Sequence, residues 1–100
     1  MAGMFDQAKA LLKAKKVQSE LAKTEIEANG GDGLVTVIFT ADLKLKSIVI
    51  DPSLLAPDEK LTLERLLKES ITQALQQAQQ IAAEKTKTVM QELGVRIPGL

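Results

Sequence analysis

The first twenty or so residues show the hydrophobic spacing of a helix. From about Met4 to Lys23, apolar side chains recur at intervals of three and four residues, and no proline or glycine interrupts them. Most of the stretch is alanine, leucine, lysine, glutamine and glutamate, which are good helix formers. We expect a helix over about residues 4–24. Its apolar positions are Phe5, Ala8, Leu11, Leu12, Ala14, Val17 and Leu21.

The middle of the chain has the residue types of β-strands, chiefly valine, threonine, isoleucine and phenylalanine, and its apolar residues fall on both of the faces between which a strand alternates. We expect both faces to be at least partly covered. A strand is predicted over 34–40, where Val35, Val37 and Phe39 would share one face. A turn at Ala41-Asp42 would lead into a partner strand over 43–50. The alternation slips near the end of that strand, which indicates either a bulge near Lys46-Ser47 or burial of both faces.

The segment before these strands is ambiguous from its residues alone. Residues 24–29, TEIEAN, could end the first helix or form a further strand. They lead into three glycines within four residues, at Gly30, Gly31 and Gly33, which permit positive φ and a sharp reversal.

A second, longer helix is predicted over about residues 58–93. Asp51-Pro52 ends the strand because proline has no amide hydrogen to donate, Pro57 to Glu59 is typical of a helix start, and Gly94 is a natural terminator. A helix of about 36 residues would be about 54 Å long, against a radius of gyration of about 13 Å for a compact domain of this size. We therefore expect it to project from the domain and to support dimerisation.

The apolar stripe of this second helix changes character along its length. It is rich in leucine before Ser70 and rich in alanine after it, and small side chains of this kind suggest a close helix–helix contact. The stripe comprises Leu63, Leu66, Leu67, Ser70, Ile71, Ala74, Leu75, Ala78, Ile81 and Ala82.

Composition excludes several kinds of chemistry. The 100 residues suggest one domain, 1–100, and they include no cysteine, histidine, tryptophan or tyrosine. The commonest general base and the commonest zinc ligands are therefore missing. No apolar run reaches the length of a membrane span, so we expect a soluble intracellular protein with no membrane partner.

Neither the carboxylates nor the glycine turn indicates an active site. Seven acidic residues lie between Glu25 and Glu59, but each suits a turn, a strand end or a helix start. The glycine turn lacks the lysine and the following helix of a phosphate-binding loop. We expect no enzyme activity, cofactor, metal or small-molecule substrate. The glutamines between Gln73 and Gln80 are interpreted as a solvated face or a subunit contact.

Charge is unevenly spread although it sums to zero. Residues 1–24 carry a net charge of +3, residues 25–60 carry −4 and residues 61–100 carry +1. Lys9, Lys13 and Lys16 are spaced i, i+4 and i+7, which would form one exposed stripe on the first helix. The stripe is either a solvated helix face or a surface that contacts nucleic-acid phosphates. Further candidates are Lys15, Lys23, Lys85 and Lys87, with Arg96 in the same C-terminal zone.

The order of these elements resembles the YbaB/EbfC family of nucleoid-associated proteins. The resemblance rests on a GGxGLVxV motif, a KSxxIDPSLL motif and a terminal PGL. The matching residues are Gly30, Gly31, Gly33, Leu34, Val35, Val37, Lys46, Ser47, Ile48, Ile50, Asp51, Pro52, Ser53, Leu54, Leu55, Pro98, Gly99 and Leu100. The hairpin turn differs, since family members often have glycines where this chain has Ala41-Asp42-Leu43.

The resemblance implies an α+β fold with an N-terminal helix, a three-stranded antiparallel sheet over about 25–51 and a long C-terminal helix. It also implies a tweezer-like homodimer that binds double-stranded DNA with limited sequence preference, in the nucleoid of the cytoplasm, and that has a role in gene regulation. The basic residues that match the family in character are Lys9, Lys13 and Lys16. The alternative is a protein-interaction module similar to a prefoldin subunit, without DNA binding. Such subunits have two long helices of similar length, which this chain lacks.

Overall fold

The computed structural model describes the backbone of residues 4–94 and the side chains of residues 7–94. A first helix, α1, spans Met4–Lys23, and three strands follow: β1 over Glu25–Gly30, β2 over Val35–Thr40 and β3 over Leu45–Ile50. A long helix, α2, spans Lys60–Glu92. This is the expected α+β order, and it assigns the ambiguous segment before the glycines to a strand. The terminal PGL motif and Arg96 lie outside the described residues.

The sheet is a three-stranded antiparallel meander in the order β1-β2-β3. Val35, Val37 and Phe39 share one face of β2, as predicted, and this face is buried in the core. Thr36 and Ile38 on the other face are half-buried, so both faces are covered at least in part, as expected. Ile38 pairs with Ser47, whereas Phe39 pairs with Leu45, so Lys46 is an extra residue in β3. The predicted bulge near Lys46-Ser47 is therefore confirmed.

The β2–β3 turn contains three residues, Ala41, Asp42 and Leu43. The Thr40 amide donates to the Lys44 carbonyl over 2.8 Å, and the Leu43 amide donates to the Thr40 carbonyl over 2.9 Å. Leu43 has φ of 71°, in the left-handed region that glycine usually occupies in a turn of this length. The chain thus makes the turn without glycine and places a leucine in a strained backbone conformation.

The glycine turn between β1 and β2 lies directly against α2. Gly31 and Gly33 have φ of 60° and 94°, as their sequence position suggests. Gly30 is needed for a different reason, because a Cβ atom there would lie 2.6 Å from the backbone oxygen of Leu66. The absence of a side chain at Gly30 therefore allows α2 to pass close over the end of β1.

The IDPSLL motif forms the connection from β3 to α2. The Asp51 side chain accepts a hydrogen bond of 2.9 Å from the Ser53 amide, and this bond lowers the pKa of Asp51. A short 3-10 turn follows over Pro52–Leu55 and buries Leu54. A second 3-10 turn over Pro57–Glu59 precedes α2, so the regular helix begins two residues later than expected.

The core lies between one face of the sheet and the first half of α2. Ser70, Ala74 and Ala78 are fully buried in α2, together with Ile26 and Ala28 of β1. The alanine-rich stripe was therefore interpreted wrongly as a helix–helix contact. Its small side chains allow α2 to approach the sheet closely, and α2 packs on β1 and β2 more than on α1.

The molecule is elongated, with extents of 64 × 27 × 15 Å and a radius of gyration of 18.7 Å. The expected projection is confirmed, because α1 and the last turns of α2 extend beyond the sheet. The α1 side that faces α2 carries Val17 and Leu21, whereas Leu11 and Leu12 are 60% and 67% exposed. Leu11 and Leu12, expected as part of an apolar stripe, thus lie outside the core.

Candidate nucleic-acid interface

The extension formed by α1 and the end of α2 is referred to as the arm, residues 7–24 and 81–92. The two helices run antiparallel, because Lys13 lies beside Glu92 while Glu20 lies beside Lys85. An open groove of about 540 Å³ lies between them. Its apolar residues are Val17, Ile81 and Val89, and its remaining lining residues are charged or hydroxylated.

Lys13 crosses this groove to pair with Glu92. The Lys13 Nζ and Glu92 Oε2 atoms are 2.5 Å apart, and the two side chains are 27% and 52% exposed. The hydrogen bond from Lys13, and next its charge, lower the pKa of Glu92 below the usual 4.5. Partial desolvation opposes this shift, and the charges of Lys16 and Lys9 add to it. Glu92 of α2 is thus paired with one lysine of α1, and two further lysines of α1 are near enough for their charges to influence it.

A second ion pair crosses the groove, with its lysine on α2 and its glutamate on α1. Lys85 of α2 donates to Glu20 of α1 over 3.1 Å, with the two side chains 32% and 44% exposed. Glu84 also lines the groove, and within the described side chains it has no cation within 4.0 Å. The groove is therefore lined by three lysines and three glutamates: Lys13, Lys16, Lys85, Glu20, Glu84 and Glu92.

The structure separates the seven predicted lysines into two groups. Lys13 and Lys85 are half-buried and engaged in ion pairs across the groove, which corrects the expectation that Lys13 would stand on an exposed stripe. The other five are exposed, and no ion pair involves them among the residues with described side chains. These five are Lys9, Lys15, Lys16, Lys23 and Lys87.

Sequence reasoning missed the acidic half of the arm. Glu20, Glu84 and Glu92 were counted only in the net charge of their segments, although they lie among the candidate lysines. Lys13 and Glu92 are separated by 79 residues, and Lys85 and Glu20 by 65. No local pattern connects positions so far apart. Only the antiparallel packing of the two helices reveals the pairs.

Several charges elsewhere on the described surface are also engaged in ion pairs. Lys46 pairs with Glu25 over 2.8 Å, and Arg65 pairs with Glu69 over 3.1 Å. Gln73 and Gln76 line a shallow surface depression on α2 with Arg65 and Lys68, which fits the interpretation as a solvated face. Among the described residues, no group of three or more acidic side chains is placed to hold a metal ion.

These observations define a small α+β protein with a lysine-bearing helical arm beside a three-stranded sheet. The sequence profile of the YbaB/EbfC DNA-binding family matches residues 1–93, and the chain belongs to this family. It is 41% identical to a nucleoid-associated protein of Rhodopseudomonas palustris, covering 98% of this chain and 93% of that protein. It is also 41% identical to a nucleoid-associated protein of Nitrobacter hamburgensis, covering 98% and 92% of the two chains.

The fold also occurs in a solved structure. The crystal structure of the uncharacterized protein HP0035 from Helicobacter pylori superposes with a TM-score of 0.79 and 17% sequence identity. The match covers 84% of this chain and 88% of that one. At this level of identity the likeness concerns the fold alone. No helix in the described part of this chain is long and apolar enough to cross a membrane.

Proposed function

We propose that this protein binds double-stranded DNA through the basic side of its arm, as a nucleoid-associated protein of the cytoplasm. The observation that carries the proposal is the gathering of Lys9, Lys13 and Lys16 on one side of α1. The names of its relatives, nucleoid-associated proteins, point the same way. A role in gene regulation would follow from occupancy of DNA.

The contacts available to the arm suit phosphates better than bases. Lysine is a flexible point charge that neutralises phosphates and carries little sequence information. The chain has only two aromatic residues, and Phe39 is buried in the core, so base stacking has little support. Binding with limited sequence preference follows from this chemistry.

The number of phosphate contacts that DNA binding needs favours a homodimer as the DNA-binding form. Two arms would present two copies of the three lysines, or up to about six phosphate contacts, and a slope of log affinity against log salt of about −5 at most. We place the subunit contact at β3, the edge strand that α2 leaves uncovered. Leu45 and Ile48 there are 48% and 42% exposed although they share the face of Phe39 and Val37.

The prefoldin-like alternative has little support from the fold. Its paired helices should be of similar length, but α1 has 20 residues and α2 has 33. The first half of α2 is also occupied by the sheet and cannot pair with another helix along that face.

The test is binding to a random-sequence duplex at low and moderate salt, measured by fluorescence anisotropy. Lys9→Glu/Lys16→Glu reverses two exposed charges of the arm without removing an observed ion pair. We expect affinity to fall about tenfold or more and the salt slope to become shallower, because fewer phosphates are neutralised.

The matched control is Lys44→Glu/Lys60→Glu, which changes net charge equally but away from the arm. These side chains are 81% and 76% exposed, and their ion pairs are long, at 3.9 Å each. Equal losses in the two double variants would overturn the arm assignment, and absence of binding by the unmodified protein at low salt would overturn DNA binding itself.

A further inference from the structure

The two ion pairs of the arm tie its helices together at two levels. Lys13 reaches from α1 to Glu92, and about two helical turns away Lys85 reaches back from α2 to Glu20. Between these pairs lie the apolar side chains of Val17, Ile81 and Val89. The pairs and the apolar side chains together hold α1 against α2.

The same pairs oppose phosphate binding. An ammonium held 2.5 Å from a carboxylate has its charge largely compensated, so Lys13 is not available to a phosphate in this arrangement. Glu92 also lies close enough to Lys9 and Lys16 to respond to their charges. A phosphate that approaches this side of the arm must therefore compete with Glu92 for the lysines.

A polyanion can displace Glu92 from Lys13. Both pairs retain access to water, and ion pairs at such exposure are individually weak. DNA offers closely spaced phosphates, whereas Glu92 offers a single carboxylate. Exchange of one partner for the other therefore requires only modest free energy.

We propose that Glu92 and Glu20 form an autoinhibitory latch, which keeps the arm closed and occupies Lys13 and Lys85 until DNA phosphates displace them. The proposal rests on the DNA-binding function proposed above. In the bound state Lys13 contacts phosphate, Glu92 turns away from the duplex, and the two helices of the arm separate.

The first experiment measures arm opening without DNA. Because the chain has no cysteine, Ala8→Cys and Gln91→Cys introduce unique spin-label sites on exposed positions of the two helices. Labelled chains diluted into excess unlabelled protein report the distance within one arm. We expect Glu92→Gln to lengthen or broaden this distance, and Glu84→Gln, which removes an equal charge from the same groove, to leave it unchanged. Identical distances in both variants would overturn the latch.

The second experiment measures DNA affinity and its salt dependence for the same variants without labels. Glu92→Gln should raise DNA affinity by about fivefold or more, because Lys13 of each arm no longer has to give up a carboxylate partner when it binds phosphate. The salt slope should stay as in the unmodified protein, because the same phosphates are neutralised in the bound state. Glu84→Gln removes the same charge from the groove but no observed ion pair, so it should raise the affinity clearly less. Binding by the unmodified protein, with equal affinities for the two variants, would overturn the latch while the DNA-binding proposal stands. No binding by any form would overturn both.

Discussion

At the scale of single residues, a close approach between Gly30 and the backbone of α2 constrains the fold. The residue ends β1 where α2 passes over the sheet, and an added Cβ would lie 2.6 Å from the Leu66 oxygen and 3.3 Å from the Leu66 Cα. These are backbone atoms, so no side-chain rotation can relieve the contact. Gly30 therefore determines how closely α2 approaches β1, and with it the direction in which the arm leaves the sheet.

Gly30→Ala should destabilise the protein by about 1–3 kcal/mol, the usual cost of overpacking a well-filled contact. The measurement is the free energy of unfolding in urea at a fixed protein concentration. Glu27→Ala, at an exposed position on the opposite face of β1, is the control and should change stability by less than about 0.5 kcal/mol. Equal effects of the two substitutions would show that α2 does not rest on Gly30.

At the scale of elements, the strands were easier to predict from the sequence than the orientation of the helices. Val35, Val37 and Phe39 alternate with period two, and this local pattern alone places them on one face of β2, although only the packing of α2 shows that this face is the more deeply buried one. On α1, the apolar residues surround much of the helix, so periodicity could not show that Val17 faces α2 while Leu11 does not. The orientation of α1 depends on contacts with residues more than sixty positions away, which no local pattern contains.

The same limit applies to the candidate site. The spacing of Lys9, Lys13 and Lys16 correctly places them on one side of a helix, because helical geometry is local. The burial of Lys13 and its pairing with Glu92 depend on how α2 packs, and they were not predictable. The alanine-rich stripe shows a related ambiguity, since small residues suit close packing against a helix or a sheet equally well.

The pairing of α1 with α2 should weaken in acid. Because Lys13 lowers the pKa of Glu92 below 4.5, the ion pair contributes stability above the unfolded-state pKa and loses it as pH falls through the lower folded-state pKa. A carbon NMR titration of the Glu92 carboxyl should give a midpoint below 4.5. In Lys13→Met the midpoint should rise, since the donor of the hydrogen bond and its charge are both gone. An unchanged midpoint would mean that Lys13 and Glu92 do not interact in solution.

At the scale of the whole molecule, the sheet is wider than the helix that packs on it. Helix α2 covers β1 and β2 but scarcely touches β3, so the third strand keeps apolar side chains in contact with water. Leu55 and Leu61, in the connection after β3 and the first turn of α2, are 66% and 76% exposed. Exposed apolar groups concentrated along an edge strand are typical of a protein contact rather than of a monomer surface. A second copy of the chain fits, because a symmetric pair would join two sheets and project two arms.

Ile48→Lys should therefore convert a dimer into a monomer of 10.8 kDa. Ile48 lies opposite Val37 on the face of the sheet that α2 covers elsewhere, and a lysine there would place a charge in the subunit contact. Ser47→Lys is the matched control, because Ser47 precedes Ile48 on the same strand but points to the opposite face. Light scattering coupled to size exclusion gives the mass of each form, and circular dichroism confirms that the variants fold.

If the unmodified chain is itself a monomer at micromolar concentration, or if both lysine variants remain dimeric, the contact does not lie on this face of β3. Dissociation by Ile48→Lys should also reduce the DNA salt slope by about half, because each free chain then carries one arm instead of two.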